Sequence, residues 1–204
     1  GTVEPRGAVT DPNIALERLQ AGNQRYVAGQ PLRFRLDDAR RIELVEGQTP
    51  LATVFACVDS RVPVERVFDQ AHGELLVVRT AAHVVDQAAL GSVEFGVAQL
   101  NTPLVVVMGH QRCGAVAAAL SFAETGTRAP GSIQAIVDGI GPAVAATRGQ
   151  GTDPLEDTVR RHSQMIADQV AQSPVINPML QQGRVRIVPA YYSMRTGRVE
   201  FLAA

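Results

Sequence analysis

Two cysteines are the whole thiol inventory of these 204 residues, and each follows an apolar run of strand length. Cys57 stands in Ala56-Cys57-Val58-Asp59-Ser60-Arg61, after Leu51–Ala56. Cys113 stands in Gly109-His110-Gln111-Arg112-Cys113-Gly114, after Leu104–Met108. Thiolate sulfur and imidazole nitrogen are the ligands zinc prefers. His110-x-x-Cys113 plus the distant Cys57 supplies three of them and leaves a fourth position free. Structural zinc sites are normally closed by four protein ligands, whereas catalytic ones keep a place for water. The donor count therefore points to catalysis.

Two charged residues accompany the first cysteine. In an extended segment Cys57, Asp59 and Arg61, at i, i+2 and i+4, share a face. The Asp59 carboxylate then has two options. It can fill the fourth metal position, or it can pair with Arg61 and accept a hydrogen bond from metal-bound water. The competing readings are plainer: a Cys57–Cys113 disulfide, a solvated Asp59–Arg61 ion pair, or Cys113 as a small core residue. A structural disulfide is uncommon in a cytoplasmic chain, and it leaves His110 and Asp59 without a role. A phosphate loop across Gly109–Gly114 fails because Ala115 stands where Lys is required. A Cys-x5-Arg loop fails because Pro63 and Ala119 occupy the Arg positions.

Elements that place these residues are readable from periodicity. Asp11-Pro12 caps a helix running to about Ala28-Gly29, and a more charged helix fits Leu36 to Val45. Strand patterns cover Leu51–Val58, Leu75–Val78, Leu104–Met108 and Val185–Ala190, with a closing hairpin to Arg198–Leu202. Between them, helices fit Val64–Phe68, Asp86–Leu100, Cys113–Phe122, and segments within 132–147 and 154–171. Strands alternating with helices predict an α/β domain with a mostly parallel sheet and an antiparallel edge strand. Such sheets bind ligands beyond the carboxyl ends of their strands, where Cys57 and His110 fall. Residues 1–10 read as a tail and 11–204 as one domain.

Composition narrows the function classes. With 46% hydrophobic residues the chain can bury one sizeable core. A formal net charge of −1 and 4% aromatic residues give no electrostatic or stacking basis for a nucleic-acid partner. No stretch reaches the roughly 20 apolar residues of a membrane span.

Taken together, Cys57-x-Asp59-Ser60-Arg61, Gly73-Glu74 to Val78-Arg79, Ser92-Val93-Glu94-Phe95 and Gly109-His110-x-x-Cys113-Gly114 resemble the β-class carbonic anhydrases, over roughly residues 12 to 202. The resemblance implies one Zn2+ per chain on Cys57, His110 and Cys113, and reversible hydration of CO2 to bicarbonate by zinc-bound hydroxide. Asp59 and Arg61 form the implied catalytic dyad; a closed, inactive state has Asp59 as the fourth zinc ligand. Gln48 matches the substrate-binding Gln of plant-type members, and Gly114, Leu76, Ala81 and Phe95 fall at pocket positions. The subgroup silenced by bicarbonate carries a Trp where this chain has Val54, which favours constitutive activity. His83 stands where many members have Asn; it reads as structural ahead of proton relay, and His72 and His162 receive no role. The family implies a homodimer or homotetramer with interfacial clefts and a cytoplasmic location. The alternatives are hydrolysis of CS2 or COS on the same scaffold, or a bicarbonate-sensing domain fused to an anion transporter.

Overall fold

The computed structural model describes residues 7–32, 34 and 38–203. Five strands form one sheet: β1 (Ala52–Cys57), β2 (Leu75–Thr80), β3 (Leu104–His110), β4 (Arg186–Tyr192) and β5 (Val199–Phe201), in the order β2-β1-β3-β4-β5. The first four run parallel and β5 is antiparallel to β4. β1 and β3 are buried along their full length. Their unbroken apolar runs, rather than alternating ones, follow from helices covering both faces of a parallel sheet.

Alternation along the strands assigns the two faces. Ala52, Val54 and Ala56 of β1, with Leu104, Val106 and Met108 of β3, pack beneath α1 (Pro12–Val27) and α3 (Val64–Val67). Phe55, Val105 and Val107 point the other way, against α4 (Gln87–Ala98) and α7 (Pro154–Ala171). Each fully buried side chain of this size contributes about 1.5–3 kcal/mol of transfer free energy. α5 (Gly114–Thr125) and α6 (Ile133–Thr147) complete a third cluster at the carboxyl edge of the sheet, with Cys57, Cys113, Ile140 and Val159 inside it.

The caps are those the sequence announces. Asp11 accepts from the Asn13 amide at the start of α1, and Asp86 accepts from the Ala89 amide at the start of α4. The helix expected over Leu36–Val45 begins among undescribed residues; α2 covers Asp38–Glu43 and a 3-10 turn follows over Leu44–Glu46. One short helix, α8 (Asn177–Gln181), has no counterpart in the sequence reading, and β4 runs two residues past its expected end at Ala190. Val9, inside the expected tail, is buried in the core beneath α1.

Connectivity fixes where a site belongs. From β1 the chain moves outward to β2 through α3, then crosses back over β1 through α4 to β3. The direction of winding therefore reverses between β1 and β3. A crevice opens at the carboxyl ends of the two strands at such a switch point. Cys57 is the last residue of β1 and His110 the last of β3.

Candidate metal centre

Three donor atoms meet in that crevice. The ligand atoms of Cys57, His110 and Cys113 lie within 4.8 Å of one another, and all three residues are buried. Among the described residues this is the one such group. Cys57 and His110 arrive on neighbouring strands. Cys113 arrives because Arg112 takes a left-handed backbone, φ 56°, turning the chain so that Cys113 becomes the N-cap of α5. Its side chain makes no capping bond. The sulfur is left for the crevice, beside the positive end of the helix dipole.

A hydrogen bond orients His110. Its Nδ1 lies 3.0 Å from the Gln111 carbonyl, which can only accept, so Nδ1 carries the proton. Nε2, the nitrogen left to face the two sulfurs, is buried without a hydrogen-bond partner. A buried polar atom without a partner is costly unless something fills the place beside it. A divalent cation bound by two sulfurs and this nitrogen does so, and a mixed thiolate–imidazole donor set suits zinc. The thiols remain unlinked.

Electrostatics in the crevice favour anionic sulfur. The hydrogen bond from the Cys113 thiol holds Cys57 well below the ordinary thiol range against the opposing cost of burial, and the same bond pushes Cys113 up. Burial opposes charge on His110, but the neighbouring Cys57 sulfur raises its pKa on balance.

Asp59 and Arg61 border the crevice on its solvent side. Strand geometry ends at Cys57, so the shared face expected of an extended i, i+2, i+4 run is not how they meet. A turn does it instead: the Val62 amide donates to the Asp59 carbonyl at 3.1 Å, and the Arg61 amide donates to Asp59 Oδ1 at 2.9 Å. The side chains pair two-pronged, Nε to Oδ1 at 2.9 Å and Nη2 to Oδ2 at 2.8 Å. Arg61 lowers the Asp59 pKa to about 2, chiefly through these hydrogen bonds. Asp59 Oδ2 is 3.7 Å from the orphan His110 Nε2, which puts the carboxylate within reach of a small molecule seated at the donors.

The pocket positions fall in three places. Gly114 opens α5 and is exposed, with open space where a side chain would stand. Ala81 follows β2 and is half-buried, while Leu76 and Phe95 line a groove between β2 and α4 together with Val78 and Ser92. Gln48 is not brought to the crevice of its own chain. It lies before β1, and the six residues of that strand put about 20 Å between its ends.

Several supporting contacts had no sequence signal strong enough to find them. Arg79 donates to the carbonyls of Cys57 and Asp59, at 2.7 Å each, and fixes the backbone between Cys57 and the Asp59–Arg61 pair. Glu156 accepts from the Arg112 amide at 3.0 Å and from the Tyr191 hydroxyl, holding the turn between His110 and Cys113. Arg79 closes an apolar run, which is a faint hint; Glu156 is one acid among several at a helix start.

Residues 52–199 match the family model for carbonic anhydrase. Carbonic anhydrase 2 of Mycobacterium tuberculosis is 40% identical over 190 residues, covering 93% of this chain and 92% of that protein. The carbonic anhydrase of Mycolicibacterium smegmatis is 41% identical over 192 residues, covering 94% and 93%. Among solved structures, a tetrameric β-carbonic anhydrase from Sordaria macrospora superposes with a TM-score of 0.75 at 18% identity, covering 94% of this chain and 95% of its own. The Coccomyxa β-carbonic anhydrase gives 0.69 at 22%, covering 95% and 87%. The chain belongs to the carbonic anhydrase family, in its β class. Zinc is the metal of that class, and the Cys57–His110–Cys113 group is able to take it.

Proposed function

We propose that this chain catalyses the reversible hydration of CO2 to bicarbonate and a proton, with Cys57, His110 and Cys113 holding zinc and Asp59 and Arg61 acting beside it. The observation that carries this reading is the buried, unpartnered His110 Nε2 facing two sulfurs, 3.7 Å from a carboxylate kept ionised by Arg61. Zinc supplies Lewis acidity, which makes hydroxide available near neutral pH.

The chain's own residues do the rest. Asp59, ionised and therefore only an acceptor, takes the hydrogen bond of the attacking water and turns its lone pair toward CO2. Arg61 keeps Asp59 in that state and in that place. The proton leaves on the solvent side, where Arg61 is 53% exposed. Gly114, at the positive end of α5, favours the anionic product over neutral CO2. Ala81, just past the end of β2, gives uncharged CO2 an apolar approach; Leu76, paired with Thr53 at the other end of the strand, and Phe95 beside it would serve the crevice of a second copy.

A second copy supplies Gln48. β2 is an edge strand whose Leu75, Leu76, Val77 and Val78 are all only half-buried, and Phe95 above it is 52% exposed. An open apolar edge of this kind calls for a cover. Two copies related by a twofold axis can join only with their β2 strands antiparallel. That arrangement sets the amino end of one sheet, with Gln48, beside the carboxyl end of the other, with its zinc ligands. A homodimer, or a tetramer of such dimers, is the assembly this geometry favours. A reducing, cytoplasmic setting suits two cysteines that must remain thiolates; no described helix is long and apolar enough to cross a membrane.

Metal analysis with stopped-flow CO2 hydration across about pH 6.5–9, the span around a zinc-water pKa near 7, tests the reading. The expected result is one zinc per chain and CO2 turnover that rises with pH. A metal-replete protein that hydrolyses CS2 or COS and leaves CO2 untouched would refute it.

A further inference from the structure

Behind the sulfur of Cys57 lies a second group of chemistry-bearing residues that the hydration reaction does not use. The 3-10 turn Ala81–His83 follows β2. Two successive non-glycine residues in it, Ala82 and His83, have left-handed backbones, φ 50° and 44°. Side chains rarely accept that conformation, so surrounding contacts must impose it. The contacts are visible. Thr80 Oγ1 donates across the turn to the Val84 carbonyl at 2.7 Å, and the Val84 amide donates to the Ala81 carbonyl at 3.2 Å. His162, from α7, sits 2.8 Å from the Ala82 carbonyl through its Nε2.

The direction of that last bond is fixed. A carbonyl can only accept, so His162 Nε2 carries a proton and donates. Burial lowers the His162 pKa to about 4, so the donor is a neutral imidazole at physiological pH. His83 packs against it with ring centroids 4.8 Å apart and is itself enclosed, its Nε2 3.2 Å from Ser163 Oγ. With its carbonyl held by α7 and its backbone left-handed, Ala82 aims its amide back at the crevice. The amide donates to Cys57 Sγ at 3.2 Å.

We propose that His162 is a positioning residue for the metal centre: its N–H holds Ala82 in a left-handed backbone, so that the Ala82 amide donates to the Cys57 thiolate. That amide holds the Cys57 sulfur in place for the metal, which favours binding, and draws off part of its charge, so a two-sulfur centre keeps more of its acidity. Outer partners of this kind change metal affinity about 10- to 100-fold when removed. The proposal rests on Cys57 being a zinc ligand.

The test compares three variants by zinc affinity, from chelator competition, and by the sulfur-to-metal charge-transfer band of the cobalt-substituted protein. His162→Leu removes the donor and should weaken zinc binding about tenfold or more, moving the band to longer wavelength. His162→Gln keeps a donor at similar reach and should restore both. His162→Asn, a methylene shorter, should fall with the Leu variant, and the Gln–Asn pair decides the matter if the Leu variant does not fold. Wild-type affinity and band position in the donor-free variants, or equal loss in His162→Gln, would overturn the proposal. A wild type that binds no zinc would instead overturn the zinc reading itself.

Discussion

The proposed metal centre has two unlike sides. On one, Cys57, His110 and Cys113 are 4%, 1% and 2% exposed, and the two cysteines are set in the apolar cluster under α5, α6 and α7. On the other, the Arg61 and Asp59 side chains are 53% and 16% exposed. The buried side is held by strand ends, a left-handed turn at Ala82 and helix contacts, so its donors cannot move apart without disturbing the core. The open side is held by polar contacts alone: the two-pronged Asp59–Arg61 pair, and hydrogen bonds from Arg79 to the Asp59 carbonyl and from Arg61 to the Arg112 carbonyl. A binding half that is rigid and dry, and a reacting half that meets water, is the division a hydration catalyst needs.

The largest expected effect lies on the buried side. Cys113→Ser should weaken zinc binding by more than the roughly 100-fold typical of outer-shell changes and abolish CO2 hydration, as metal analysis and stopped-flow assay will read. Next comes the open side, where the two halves must separate. Asp59→Asn should lower kcat by about 10²- to 10⁴-fold, the range of a lost acid–base group, with zinc content unchanged. Zinc lost together with activity in that variant would erase the division.

Gln48 tests whether the open side is shared between copies. Gln48→Leu should cost about 10- to 100-fold in kcat/KM, the worth of a hydrogen bond to a charged group. Mixing it with Cys113→Ser should give activity above the sum of the two, because a heterodimer then contains one complete site. No gain on mixing would return Gln48 to an ordinary loop residue.

Smaller effects concern stability. A Cβ at Gly109, beside His110, would stand 2.5 Å from Ser163 Oγ and 2.7 Å from Val159 Cγ1. Gly109→Ala should therefore cost about 1–3 kcal/mol in a denaturant titration, the usual cost of overpacking. Asp59 has the weakest influence. Its folded pKa, about 2, is below the usual carboxylate value near 3.9. Its stabilising contribution is thus present above about pH 4 and is lost as pH falls toward 2. The stability difference between wild type and Asp59→Asn should narrow over that interval.

What the sequence disclosed follows the same division. The donors were legible because ligand-type residues ended two uninterrupted apolar runs, and a parallel sheet places such ends together. Asp59 and Arg61 were legible by type and spacing, although a turn rather than a strand pairs them. Contacts made by the backbone were not legible. Nothing in Ala81-Ala82-His83 announces two left-handed residues, and Ala82 gives its amide to Cys57 with no side-chain signature at all. His162 is one histidine in a polar helix until α7 is laid across the end of β2. Gln48 shows the converse limit: its position matches that of a substrate-binding residue, yet it precedes the start of β1 while Cys57 ends that strand.

The most direct test of the central claim is zinc K-edge absorption on the purified wild-type protein. Two sulfur ligands near 2.3 Å, one imidazole nitrogen and one further light atom are expected of a centre built from Cys57, His110 and Cys113. A protein without zinc in which Cys57 and Cys113 form a disulfide would contradict it.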